Sequence, residues 1–361
     1  KQLKTSKDVS ILHWIQNEKW PQTLFESSPN REPKDIISPS KIATSSEDTE
    51  PGDTEIENFT PFLESRGCFL NGTSKPDKAD IALCKKLLKR HCEVPKDTTL
   101  DDYDYIQRIL PERNETAVNL VIGRLVVPSA EIEIVRGRIE YEYLIDSIKE
   151  VWDGSVALDE PPGNDADNAR NGQCQMPTPQ PDYAVGFTEE AFTKEHFAKL
   201  EPFIGQLGHN SVFRGTLEML FPFLTTEVRC SKASLEVADQ HNAHSMARSL
   251  RGVVELFKLV KRERELDRKI LGFSISHNHD TVRIYGYYPV FEMGTVTYHR
   301  YSVHTFSITA AKGKERWTSY KFVMALYNDW VPVHFQRLVS AVNDLPAGVN
   351  FAVDGIRRFS C

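Results

Sequence analysis

The sequence predicts an α/β fold, with a mixed central sheet flanked by helices, on three observations. Strand-like segments cluster between residues 181 and 309, as in "PDYAVGF", "LEMLFPFLTTEVRC", "ILGFSIS", "TVRIYGYYPVF" and "GTVTYHRYSVHTFSIT". One long helical pattern interrupts them, with Met246, Leu250, Val253, Phe257 and Val260 repeating at i, i+4, i+7, i+11 and i+14. Helical patterns lie on either side of this block, so the order is helices, strands, a long helix, more strands, then helices.

The elements follow in order. Residues 1–20 predict a short helix with Ile11, Leu12, Trp14 and Ile15 on its apolar side. Residues 21–57 are rich in Ser, Pro, Asp, Glu and Thr and poor in large apolar residues, which predicts a flexible linker. One domain is expected over residues 58–346, with a helical part first and a tail over 347–361. In that helical part, "KADIALCKKLLKRHC" places Ile81, Leu83, Leu87 and Leu88 at roughly helical spacing. "RNETAVNLVIGRLVVPS" carries an apolar stripe of Ala117, Val118, Val121, Ile122 and Leu125, stopped by Pro128. A second helix is expected in "YEYLIDSIKEVWD", and "DEPPGNDADNARNGQCQMPTPQ" reads as a long exposed loop. "TEEAFTKEHFAKLEPFIG" is a helical insert between the first two strands, and the last segment reads as two helices interrupted by Pro332.

Composition narrows the function classes. The 361-residue chain is 40% hydrophobic and 26% charged, with no apolar run approaching the ~18 residues that span a bilayer. A net charge of −7 argues against a protein that coats nucleic acid nonspecifically, while leaving room for a local basic surface. Six cysteines (Cys68, Cys84, Cys92, Cys174, Cys230, Cys361) include no C-x-x-C pair, so neither a zinc knuckle nor a disulfide framework is expected. Reduced thiols and the lack of a signal-like apolar stretch predict an intracellular chain, nuclear or cytoplasmic, and leave the sequons at Asn58, Asn71 and Asn114 unmodified. No P-loop, G-x-S-x-G or H-E-x-x-H pattern appears.

The chemistry concentrates where the apolar run "FPFLTTEVRC" ends in Glu227 and Arg229. Side chains alternate along a strand, so these two share a face and need partners or solvent at the strand end. Asp182 opens the preceding strand, and neighbouring strands lie ~4.8 Å apart, so the two carboxylates are in reach of one divalent ion. Each residue has a plainer reading beside the functional one. Glu227 and Arg229 form a simple ion pair in that reading, and Glu115 is an acid stabilised by a helix N-terminus. Gln240 and His244 are polar residues on one face near a helix start. His277, His279 and Asp280 in "SHNHD" make a polar turn, and "KLVKRERELDRK" is a solvated helix face. In the alternative reading Arg248, Arg251, Lys258 and Lys261 supply phosphate contacts.

An acid in a first helix, Pro-Asp opening a strand, Glu-x-Lys ending the next, and Gln on the following helix is a pattern similar to the PD-(D/E)XK nuclease superfamily. Here the positions are Glu115, Asp182, Glu227, Arg229 and Gln240. Residues 60–346 also resemble an uncharacterised fungal domain family through "ADQHNAHS", "VVELFKLVKRE", "FSISHNHDTVRIYGYYPV" and "ERWTSYKF". The nuclease-like resemblance implies a restriction-endonuclease-like core with helical additions. It further implies Mg2+ or Mn2+ on Glu115, Asp182 and Glu227, with Arg229 and Gln240 beside them, and a DNA or RNA phosphodiester as substrate. Two departures bear on activity. Arg229 stands where the superfamily has lysine, and its guanidinium stabilises charge without deprotonating water. Forty-five positions separate Asp182 from Glu227, so the two strands must accommodate an insertion. A catalytically inactive module that binds nucleic acid or protein is therefore the alternative.

Overall fold

The computed structural model describes residues 59–96, 103–158, 177–204, 210–231 and 233–346. The expected helix over 1–20, the linker over 21–57 and the tail over 347–361 lie outside the described residues, as does the expected loop from residue 159 to 176. Phe59–Gly348 forms a single unit around one sheet.

Seven strands build that sheet: β1 (Cys68–Phe69), β2 (Leu144–Ser147), β3 (Tyr183–Phe187), β4 (Leu220–Val228), β5 (Gly272–His277), β6 (Thr281–Glu292) and β7 (Thr295–Ser307). Their spatial order is β1-β7-β6-β5-β4-β3-β2. β2, β3 and β4 pair antiparallel, β4 and β5 parallel, β5, β6 and β7 antiparallel, and β1 joins β7 in parallel. The sheet is therefore mixed and flanked by helices, as the element order predicts. The parallel step from β4 to β5 requires a crossover, and the long helix over Leu235–Leu259 supplies it.

Nine helices are numbered along the described chain: α1 (Thr60–Ser65), α2 (Lys78–Lys89), α3 (Tyr103–Ile109), α4 (Glu115–Val118), α5 (Ala130–Val135), α6 (Lys194–Ile204), α7 (Leu235–Leu259), α8 (Thr318–Ala325) and α9 (Val331–Asp344). Asn114 caps α4 by accepting from the Ala117 N–H at 3.0 Å, which places Glu115 in the first turn. α4 continues into a π-helical turn over Asn119–Gly123 and ends before Pro128. A second π turn, Leu326–Trp330, joins α8 to α9, and Pro332 sits in the first turn of α9, where its missing N–H costs no bond.

α7 lies across β4 and β5. Its apolar stripe is core, with Leu250 and Phe257 fully buried. A buried polar link sets its register on the sheet: Thr225 Oγ1 donates to Asn242 Oδ1 at 2.7 Å, and Asn242 Nδ2 donates to Ile275 O at 3.2 Å and Ser276 Oγ at 3.0 Å. Gly252 permits the close approach behind it, since a Cβ there would meet Val212 O at 2.3 Å. On the opposite side of the sheet, Phe273 meets Phe322 and Trp330 edge-on at 5.5 and 5.2 Å. Leu250→Ala or Phe257→Ala should cost about 2–5 kcal/mol, read from the urea midpoint. Midpoints equal to wild type would show that the stripe is not core.

One element differs in type from its expectation. "YEYLIDSIKEVWD" is not a helix, because Leu144–Ser147 forms edge strand β2 against β3. The apolar spacing of Leu144, Ile145 and Ile148 suits either state over so short a window. Tertiary pairing decides it. In the strand, Asp146 accepts from the Ala130 N–H at 3.1 Å and from Tyr183 Oη at 2.7 Å, tying β2 to the start of α5 and to β3.

Candidate functional site

β3 and β4 are neighbours in register, with Tyr183 opposite Thr226, which brings Asp182 to the end of β4. Asp182 Oδ2 accepts from the Val228 N–H at 2.7 Å, and its Oδ1 lies 3.4 Å from Lys149 Nζ. Glu227 pairs across to Ser276, so it shares the face that carries Asn242 and α7. Its Oε2 is 4.0 Å from His241 Nδ1.

Asp182, Glu227, Arg229, Lys149, His241 and His244 line one cavity of about 320 Å3 between the sheet end and α7, closed on its other side by Pro177–Gln180. Burial pushes the Glu227 carboxyl well above the usual carboxylate range, and the Asp182 charge pushes it the same way; Arg229 opposes them. The two acids are thus close enough for the Asp182 charge to disfavour ionisation of the more buried Glu227.

Arg229 follows β4, its N–H donating to His277 O at 2.9 Å. The direct ion pair between Glu227 and Arg229 is not formed. Arg229 Nη1 instead reaches Glu115 Oε1 and Oε2 at 3.2 and 3.3 Å, and Nη2 lies 3.4 Å from His241 Nδ1. Burial and the Arg229 charge pull His241 down to about 4, so the ring is neutral at pH 7. A neutral ring accepting at Nδ1 carries its hydrogen on Nε2.

The five residues named from the sequence therefore separate into groups. Asp182, Glu227 and Arg229 share the cavity. Glu115 stands behind Arg229 as its counter-charge and is outside the cavity lining. Gln240 is also outside that lining; its Oε1 accepts from the Phe59 N–H at 2.9 Å. His277 is fully buried in β5, and Asp280 accepts from Ser307 Oγ at 2.6 Å within the turn, so these two serve the sheet as the plainer reading has it.

Sequence reasoning missed Lys149 and His241. Lys149 became invisible once β2 was read as helix, because a helix carries it away from Asp182. In the structure it sits two residues past β2 in the left-handed region, φ +49°, and faces that acid. His241 lies beside Gln240 in "DQHNAH", so the helical face one residue over was the signal.

Among the described residues no group of three or more His, Cys, Asp or Glu side chains is placed to hold a metal ion. The Glu115–Asp182–Glu227 set therefore does not assemble as a three-carboxylate cage. The two that remain are hard oxygen donors beside open cavity volume. That suits Mg2+, which commonly uses one or two carboxylates and takes its other ligands from water and substrate phosphate.

Fold and site together define a mixed-sheet α/β protein with an acid pair and fixed cations around a cavity at the sheet end. The chain belongs to the family described as "Domain of unknown function (DUF7924)", whose model matches residues 102–342. No curated protein and no solved structure matches it. Among the described residues, no helix is long and apolar enough to cross a membrane.

Proposed function

We propose that the chain is a metal-dependent phosphodiesterase of PD-(D/E)XK type acting on DNA or RNA. The observation that carries this reading is the Asp182–Glu227 pair at the ends of adjacent strands, whose mutual repulsion is faced by Arg229 and Lys149. Asp182 and Glu227 would hold Mg2+ or Mn2+, and such an ion would supply Lewis acidity at a phosphoryl oxygen. Burial and the Asp182 charge raise the Glu227 carboxyl, and a divalent cation beside it would favour its ionised form. Arg229, fixed by Glu115, stabilises the negative charge that develops in the transition state. The Lys149 ammonium, 3.4 Å from Asp182 Oδ1, sets a second positive charge on the same wall. Neutral His241 presents its Nε2 hydrogen as a further donor.

Mg2+ or Mn2+ should raise the melting temperature of the wild type with site occupancy, and Asp182→Asn or Glu227→Gln should lose that increment. The same variants should lose cleavage of DNA or RNA, whereas Arg229→Lys should retain or increase it. Equal metal responses in wild type and both variants would sink the metal assignment.

The fixed, always protonated Arg229 favours one second reading, an inactive module that binds nucleic acid or protein without cutting. Metal-dependent stabilisation without cleavage selects it.

A further inference from the structure

One turn beyond His244 on α7, Arg248 is buried, with 8% of its surface exposed. Its Nε donates to His244 Nε2 at 3.3 Å and its Nη1 to Ser155 Oγ at 2.8 Å. Both acceptors are neutral. Ser155 spends its own hydrogen on Trp152 O at 2.8 Å, so it can only accept from the guanidinium. Burial and then Arg248 itself pull His244 down to about 3, which keeps that ring uncharged. No carboxylate pairs with Arg248 among the described residues. The charge that acts on it is Arg251, of the same sign. Burial and Arg251 pull the guanidinium down to about 10, so it remains a cation at neutral pH.

A buried cation normally has a counter-charge, because desolvation is repaid only by an opposite charge and full hydrogen bonding. Here the fork is held rigidly by two neutral acceptors while Nη2 donates to no described residue. No described residue supplies a counter-charge, which leaves the guanidinium able to take an anion. His241, His244 and Ser245 line the cavity of the acid pair, and Arg248 continues the same helix face at i+7 from His241. At 1.5 Å per residue, Arg248 lies about 10 Å along the axis from the imidazole beside Glu227.

We propose that Arg248 anchors a second phosphate subsite, so that a nucleic-acid strand reacting at Asp182 and Glu227 seats a neighbouring phosphate on this guanidinium. The proposal rests on the phosphodiesterase reading for its ligand class. A planar, pre-oriented fork suits a phosphate anion better than a flexible ammonium does. Arg251, on the next turn, donates to Ala157 O and extends the positive charge along the same wall.

The test separates this subsite from the metal site by working in EDTA. Millimolar inorganic phosphate, against chloride at matched ionic strength, should raise the melting temperature of the wild type saturably. Arg248→Gln should abolish that rise, while Glu227→Gln should keep it. In phosphate-free buffer Arg248→Gln should melt no lower than wild type, because it removes an uncompensated charge. Binding of a short oligothymidylate should show a log Kd against log salt slope shallower by about 0.7 in Arg248→Gln, the loss of one phosphate contact on a single strand. Should that variant fail to fold, Arg248→Lys decides: a weakening of phosphate binding of about tenfold supports the fork, and unchanged affinity overturns it. No saturable phosphate effect in the wild type, or equal effects in wild type and Arg248→Gln, overturns the subsite. Phosphate binding with an unchanged oligonucleotide slope overturns its role on a strand. Failure of the metal assignment shows separately, as an unaltered Mg2+ response in Glu227→Gln.

Discussion

Glu227→Gln is expected to stabilise the metal-free protein at neutral pH while abolishing its response to Mg2+ and its cleavage of phosphodiesters. The two effects have one origin. Burial and the Asp182 charge raise the Glu227 carboxyl well above the usual range. For a group whose folded value is raised above its unfolded value, folding takes up protons, so its contribution is most favourable below the unfolded value near 4.5 and is lost as pH rises through the folded value. At pH 7–8 the wild type therefore bears the cost of burying an acid beside the Asp182 charge. Glutamine keeps the shape and removes the titration. The stabilisation by Glu227→Gln should be larger at pH 8 than at pH 5, measured by urea midpoints in EDTA. Functional sites commonly trade stability in this way. A variant less stable than wild type at both pH values, with its Mg2+ response intact, would show that Glu227 serves only the sheet.

A second large effect is expected on acidification. Burial holds His277 down to about 4 and His244 down to about 3, and it lowers His334 well below the ordinary imidazole range. All three rings are neutral in the folded protein at pH 7. As pH falls through about 6.5 the unfolded chain takes up protons that the folded chain refuses, so stability is present above that value and lost below it, until the folded values are reached. Each ring contributes up to about 1.4 kcal/mol per pH unit across that window. Glu227, Asp80 and Asp146, all raised, act in the opposite direction by taking up protons earlier in the folded state. His241, His279 and His299 are lowered as well, so the lowered imidazoles outnumber these raised carboxyls and should dominate between pH 6.5 and 5. The urea midpoint should fall steeply from pH 7 to pH 5, and His334→Gln should make the fall shallower. His334 is a clean probe because it is buried against Trp330, ring centroids 4.4 Å apart, and lies away from the acid pair. A flat profile would show that these rings charge without cost in the folded state.

The two predictions meet on α7, which carries His241 and His244 on the cavity wall and Leu250 and Phe257 in the core. A helix committed on both sides can hold these groups at fixed distance from β4. That rigidity is what the proposed chemistry needs.

How much of this was legible beforehand follows from the range of each interaction. The sequence by itself determined the α/β class, the long crossover helix and the strands from Tyr183 onward, because periodicity and apolar runs are local signals strong enough to survive any tertiary context. It also determined that Asp182, Glu227 and Arg229 meet, since a strand's alternation and its neighbour's spacing are short-range geometry. Tertiary structure alone decided the rest. Leu144–Ser147 became a strand because β3 offered an edge to pair with, and that pairing brought Lys149 to Asp182. Glu115 pairs with Arg229, 114 positions away in the chain, and stands apart from the acid pair. Gln240 was taken up by the Phe59 N–H, 181 positions away in the chain. A buried polar group bonds whatever the fold brings within about 3 Å, and no local pattern encodes which distant atom that will be.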